Sequence, residues 1–96
     1  MYAIGVIRYR RPLEDVVAHQ DAHRAYLREL KAKGVLIASG PCNPRFGGLL
    51  LLRVADDDFK ALDEVRDNDP FVKNGVAQYE LLGWAPVIGK EDLDRL

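Results

Sequence analysis

Hydrophobic residues along this chain follow two different spacings, and the change from one to the other marks the predicted elements. Residues 2–10 are rich in β-branched and aromatic side chains, which is typical of a strand. Apolar residues then recur at helical spacing from Pro12, which suits a first helical turn, as far as Gly34, which suits a left-handed cap. The pattern therefore predicts a strand over 2–10 and a helix over 12–33.

The middle of the chain carries two further apolar runs, separated by turn-forming residues. Residues 35–40 (VLIASG) predict a second strand. The stretch 41–48 (PCNPRFGG) contains two prolines and paired glycines, which disfavour regular structure and predict a loop. Residues 48–55 (GLLLLRVA) form a continuous apolar run, so we expect a third strand that is buried on both faces.

The last third of the chain predicts a helix, a turn and a strand. Asp56 to Asp58 can cap a second helix, which the helical spacing of apolar residues carries to about residue 68. Pro70 ends this helix and begins a short turn that closes at Gly75. Residues 76–87 predict the last strand, and the tail 90–96 predicts one or two amphipathic helical turns.

The order of these elements, β-α-β-β-α-β, predicts the α+β ferredoxin-like arrangement, an antiparallel sheet with two helices on one face. We expect one domain over residues 1–96, because no repeat or linker divides the chain. The other face of the sheet is left without a cover, and a domain this short buries only roughly 60–65% of its unfolded surface. Both arguments predict a homodimer in which a second copy covers that face.

Composition narrows the choice of partners and compartment. Hydrophobic residues make up 48% of the chain and charged residues 30%, as in folded globular proteins. The net charge of −1 favours neither a nucleic acid nor a membrane surface as a partner, and no apolar stretch approaches the roughly 18 residues of a membrane span. The single cysteine, Cys42, needs no oxidising compartment, so we expect a cytoplasmic protein.

Two histidines, His19 and His23, lie four residues apart on the first predicted helix. His23 falls in the middle of the apolar stripe, whereas His19 and Tyr26 fall near its edges. An imidazole aimed at a core needs a polar partner, because an unmatched buried polar group costs about 1–3 kcal/mol. We therefore expect a polar group to meet His23.

Three interpretations of His23 follow from the sequence. In the first, His23 is a core histidine bonded to a backbone carbonyl or to Tyr26. In the second, it shares a metal ion with His19, and Cys42 or Asp69 is the third ligand. The third interpretation is a proton-transfer pair, in which a carboxylate fixes the tautomer of the imidazole and stabilises its charged form. Metal is the least favoured, because no further histidine or paired cysteine completes the ligand set.

Asp69 stands out among the carboxylates, because Pro70 after it forces an extended backbone where the second helix ends. It is either a turn residue that accepts backbone hydrogens or the partner of His23. Ser39, Gly40 and Pro41 at a strand end either line the mouth of a pocket or simply form a turn.

The order His23-x-x-Tyr26-Leu27, Gly34, Ser39-Gly40-Pro41, Asp69-Pro70-Phe71 and Gly75-Val76 resembles the YciI-like (YCII-related) family over nearly the whole chain. The resemblance implies the dimeric α+β barrel fold, which also houses muconolactone isomerase. It implies that His23 and Asp69 are the active-site pair. The family includes a dehydrochlorinase that acts on a chlorinated hydroxyhydroquinone.

Together these observations give two hypotheses. The first is a lyase- or isomerase-type enzyme acting on a small acidic or cyclic organic molecule, with His23 as general acid/base, Asp69 as its orienting partner, and no metal or cofactor. The expected substrate-binding residues are Ser39, Gly40, Pro41, Tyr26 and His19. The second hypothesis is a non-catalytic module that binds a small ligand in the same pocket. Arg8 and Arg10 in the first strand either anchor an acidic substrate or are edge charges.

Overall fold

The structure, a computed structural model, describes residues 1–96, and its centre is one four-stranded antiparallel sheet. The strands are β1 (Tyr2–Tyr9), β2 (Leu36–Pro41), β3 (Gly47–Arg53) and β4 (Ala77–Trp84). Their order in the sheet is β2-β3-β1-β4, and every neighbouring pair is antiparallel. This is the sheet of a ferredoxin-like fold, so the predicted α+β class is confirmed.

Helices cover one face of this sheet. They are α1 (Leu13–Ala18), α2 (Gln20–Ala32), α3 (Phe59–Asp67) and α4 (Pro70–Lys73), and a short α5 (Lys90–Asp94) follows the last strand. Buried side chains of the first four helices and of the sheet, together with Val76 just before β4, form one hydrophobic cluster of 13 residues. None of the helices is both long enough and apolar enough to cross a membrane.

The single helix predicted over residues 12–33 is interrupted at His19. The backbone there has φ −109° and ψ 6°, outside helical geometry. The His19 amide donates to the carbonyl of Val16, three residues back, at 3.0 Å, so the chain tightens for one turn. Helical bonding resumes when the His23 amide donates to the His19 carbonyl at 3.1 Å. His19 is therefore a junction between two helices, and the spacing of one continuous helix does not determine where its side chain lies.

Gly47, which was predicted to lie in the loop, belongs to the sheet together with Gly48, the first residue of the predicted third strand. Gly47 and Gly48 are the first two residues of β3. A Cβ atom on Gly47 would lie 1.7 Å from the carbonyl oxygen of Ile7, so no other residue fits this close approach of β3 to β1. The glycines thus permit tight strand pairing, and the loop ends before them.

The face of the sheet that points away from the helices stays largely uncovered. The apolar side chains of this open face, which the strand register places side by side, are those of Ile4, Val6, Leu49, Leu51, Leu82 and Trp84. Leu49 and Leu82 are each 46% exposed, so the prediction that β3 is buried on both faces is wrong for the single chain. Helix α5 lies at one end of this face, where the Tyr2 hydroxyl donates to Asp94 at 2.6 Å.

Candidate active site

The centre of the candidate site is Asp69, which is fully buried at the start of α4. Pro70 after it fixes an extended backbone at Asp69, with φ −70° and ψ 127°. This conformation turns the carboxylate back over the helix end, where Oδ1 accepts from the Phe71 amide at 2.9 Å. Asp69 is thus a helix cap of the kind that a turn residue before proline provides.

The same carboxylate oxygen also meets His23. Nδ1 of His23, on α2, lies 2.8 Å from Oδ1 of Asp69, and the His23 side chain is 11% exposed. An ionised carboxylate only accepts hydrogen bonds, so beside it Nδ1 is the donor, and in the neutral imidazole the lone pair lies on Nε2. The imidazole also stacks on the Phe71 ring, with centroids 3.8 Å apart and planes 7° from parallel. Asp69 and Phe71 together hold the imidazole in one orientation.

Tyr79 on β4 is a further hydrogen-bond partner of Asp69, and the sequence analysis does not assign it to the site. Its hydroxyl donates to Oδ2 of Asp69. Burial raises the pKa of the Tyr79 phenol, and the charge of Asp69 raises it further, so the phenol stays a donor. The strand register could have suggested this role, because it pairs Tyr79 with the buried Ile7 on the helix-covered face.

The other ring nitrogen of His23 opens onto a cleft. Nε2 makes no hydrogen bond, and no buried side-chain nitrogen or oxygen in the chain lacks a partner, so Nε2 is in reach of solvent. The cleft has a volume of about 220 Å³ and lies between α2, the end of β1 and the β2–β3 connection. Its polar lining consists of Tyr9, Gln20, His23, Arg24, Ser39 and Arg45.

The predicted binding residues Ser39, Gly40 and Pro41 line this cleft. An irregularity of β2 between Leu36 and Ala38 explains the orientation of Ser39. Without it, the register of Leu36 opposite Leu52 would pair Ser39 with Leu49 on the open face. The extra residue shifts the register by one, so Ser39 pairs with Leu50 on the helix-covered face.

The other two predicted binding residues, His19 and Tyr26, lie outside the cleft. The Tyr26 hydroxyl reaches across to α3 and donates to the Val65 carbonyl at 2.8 Å. Burial, followed by the charge of Asp69, raises the pKa of Tyr26 to about 12. His19 occupies the junction between α1 and α2 and does not line the cleft.

Charged groups of the cleft also differ from the expected ones. Arg8 lies over the Phe46 ring, and Arg10 donates to Gln78 at 2.7 Å, so neither reaches the cleft. Arg24 and Arg45 line it instead. Arg45 belongs to the β2–β3 connection, and its sequence position carries no pattern that could have predicted this. No three histidine, cysteine or acidic side chains of the chain come close enough to share a metal ion.

Comparison with known proteins places this geometry in a family. Residues 2–85 match the family model of the YCII-related domain. The chain belongs to the YCII-related family. This confirms the family resemblance inferred from the motifs around His23, Ser39 and Asp69. No curated protein matches the YCII-related chain.

A solved structure is similar to this YCII-related protein. It is 5-chloro-2-hydroxyhydroquinone dehydrochlorinase (TftG) from Burkholderia phenoliruptrix AC1100, in complex with 2,5-dihydroxybenzoquinone. The superposition has a TM-score of 0.75, with 24% sequence identity, and covers 92% of this chain and 97% of that chain. The likeness therefore extends over the whole fold.

Proposed function

We propose that residues 1–96 form a single-domain enzyme of the lyase or isomerase type, which moves a proton on a small organic molecule. His23 is its general acid/base, and Asp69 orients the imidazole. One observation carries the proposal: Nδ1 of His23 is bound to Asp69 at 2.8 Å, while Nε2 faces the cleft without a partner. A histidine held in this way is equipped to accept a proton from a bound molecule.

The chemistry requires only the groups of the pair. Nε2 takes a proton from a carbon next to a carbonyl group, and the electrons of the broken C–H bond form an enolate. Asp69 stabilises the imidazolium that results. In an isomerisation the imidazolium returns the proton to another carbon, and in an elimination the enolate electrons expel a leaving group as its anion. Neither route calls for a metal or a cofactor.

The proposed substrate site is the part of the cleft that β2 lines. Ser39 offers a hydroxyl group there, and Gly40 and Pro41 offer backbone and a small apolar surface. The similarity to TftG supports the reaction class, because that protein is named a dehydrochlorinase and binds a small quinone. Elimination and isomerisation both begin with loss of a proton, which is the step that the His23–Asp69 pair is arranged to perform.

The test measures the exchange of C–H protons of a candidate substrate for deuterium in D₂O, monitored by NMR. The candidate substrates are muconolactone, 5-chloro-2-hydroxyhydroquinone and simple cyclic ketones. We expect the wild type to catalyse exchange or elimination on at least one of them. His23→Gln should lower the rate about 100-fold or more, and Asp69→Asn should also lower it. Asp67→Asn is the matched control, since it removes an exposed carboxylate two residues away.

Two outcomes would contradict the enzyme proposal. One is exchange that persists unchanged in His23→Gln. The other is saturable binding of panel members with no exchange or product, which supports the alternative of a non-catalytic binding module.

A homodimer in the cytoplasm is part of the same proposal. The open face presents apolar side chains that include the half-exposed Leu49, Leu82 and Trp84. A second copy of the chain would bury this face and complete a dimeric α+β barrel. The lone free cysteine, Cys42, fits a reducing compartment.

A further inference from the structure

The cleft beside His23 carries positive charge that the proposed proton transfer does not use. Its ionisable lining residues are Tyr9, His23, Arg24 and Arg45, and no acidic residue lines it. The carboxylate bonded to His23, Asp69, lies behind the imidazole and is fully buried. In a chain of net charge −1, this places two cations at one concave surface.

Arg45 is held in place by neutral partners. Its Nη2 donates to Oε1 of Gln20 at 2.6 Å, and its Nε lies 3.4 Å from the Tyr9 hydroxyl. Gln20 is the first residue of α2, and Tyr9 is the last residue of β1, so two elements of the fold fix the guanidinium. Amide and phenol oxygens orient the group but leave its charge uncompensated.

Arg24 follows His23 directly on α2 and makes no side-chain hydrogen bond or ion pair. Every ion pair of the chain involves other residues, so both cleft arginines keep their full charge available. Arg28, one turn further along α2, is also unpaired but does not line the cleft. Arg28 therefore provides a matched control.

We propose that Arg45, assisted by Arg24, binds an anionic oxygen group of the substrate, a carboxylate or an enolate, and so selects small cyclic organic anions. The planar guanidinium offers parallel N–H donors that match two oxygens of such a group. The volume of the cleft agrees with a ligand of this size, since a cavity of about 150 Å³ accepts benzene and this cleft has about 220 Å³. One substituted ring therefore fits.

The inference deepens the proposed function and rests on it for the position of the reacting carbon beside Nε2. An anion bound by Arg45 would hold the attached ring in the cleft that the His23 imidazole also lines. The same guanidinium would stabilise negative charge that develops on an oxygen when Nε2 removes the proton. Binding of the anion itself needs no chemical step and can be measured separately.

The experiment compares two probes of nearly the same shape, the anion 2,5-dihydroxybenzoate and the neutral 2,5-dihydroxybenzamide, by NMR titration of the protein. We expect the carboxylate to bind about tenfold or more tightly than the amide. Arg45→Gln should remove that preference, Arg24→Gln should reduce it, and Arg45→Lys should restore part of it, because lysine keeps the charge but not the fork. Arg28→Gln should leave it unchanged. A third probe, 2,5-dihydroxybenzoquinone, distinguishes an enolate oxygen from a carboxylate.

The result that overturns the inference is equal affinity for acid and amide, or a preference that survives both Arg45→Gln and Arg24→Gln. Failure to detect binding of both 2,5-dihydroxybenzoate and 2,5-dihydroxybenzoquinone at millimolar concentration overturns the inference as well. His23→Gln separates this inference from the proposed function, since that variant should lose exchange while it keeps the preference for the anion. A charge preference with no exchange in wild type would therefore count against the enzyme and not against the anion site.

Discussion

The two faces of the sheet differ in which side chains they bury: one buries polar groups, and the other exposes apolar ones. The helix-covered face buries a carboxylate, an imidazole and a phenol together, and each has its hydrogen-bond partner. The open face exposes large apolar side chains, among them Leu49 and Leu82. The covered face is complete within one chain and holds the candidate chemistry, whereas the open face gains a dry environment only from a partner.

Neighbouring leucines of β3 make the contrast measurable. Leu50 is 1% exposed on the covered face, and Leu49 is 46% exposed on the open face. Leu50→Ala should lower the free energy of unfolding by about 2–5 kcal/mol, because it leaves a cavity in the core. Leu49→Ala should cost much less at high dilution, where the chain is monomeric. Urea denaturation checks both, and equal losses at every concentration would contradict the difference between the faces.

The stability of the buried Asp69 carboxylate on the covered face should depend on the hydroxyl group of Tyr79. Tyr79→Phe removes a donor from the buried Asp69 carboxylate, so we expect a loss of about 1.5–3 kcal/mol in the free energy of unfolding. Tyr26→Phe is the matched control, because the Tyr26 hydroxyl bonds a neutral carbonyl and its loss should cost about 1 kcal/mol.

A positioning role for Tyr79 requires a second readout beside stability. The ¹⁵N shifts of the His23 ring should show Nδ1 protonated in wild type, and Tyr79→Phe should mix the two tautomers and lower kcat more than KM rises. If the ring spectrum and kcat stay unchanged in Tyr79→Phe, the hydroxyl serves only the fold.

The open face is tested by a charge placed on it. Leu49→Asp should weaken a homodimer about tenfold or more, because an unpaired carboxylate would be buried between the copies. Val17→Asp is the control, since Val17 is 48% exposed on α1 and away from this face. Analytical ultracentrifugation over a dilution series gives the constants, and a wild type that is monomeric at every concentration would refute the predicted dimer.

Alkaline pH should weaken the covered face through its buried phenols. The folded state holds the Tyr26 pKa at about 12, against 10.0 for an unperturbed tyrosine. The unfolded chain therefore loses this proton first, so the stability that Tyr26 contributes is intact below pH 10 and is lost as the pH rises toward 12. Tyr26→Phe should make the fall in unfolding free energy above pH 10 shallower, as measured by denaturation at a series of pH values. An unchanged slope would contradict the raised pKa of Tyr26 in the folded state.

How far the sequence predicts this molecule depends on whether a feature is local. The spacing of apolar residues predicts the strands, and Pro70 fixes the backbone that aims Asp69, so the fold and the His23–Asp69 contact follow from local rules and the family motifs. Ser39 reaches the cleft through a one-residue register shift that no local pattern announces. Arg45 reaches it from a loop, because Tyr9 and Gln20, distant in sequence, accept its hydrogen bonds.

The two histidines of the chain differ in position relative to the covered face. His23 lies under the helix layer against Asp69, whereas His19 lies at the α1–α2 junction and lines no part of the cleft. His19→Gln should therefore change the free energy of unfolding by no more than about 0.5 kcal/mol and should leave exchange and anion binding intact. The measurement is the same D₂O exchange assay used for His23→Gln. A loss of exchange in His19→Gln comparable with that in His23→Gln would bring the junction into the site and extend the chemistry beyond the covered face.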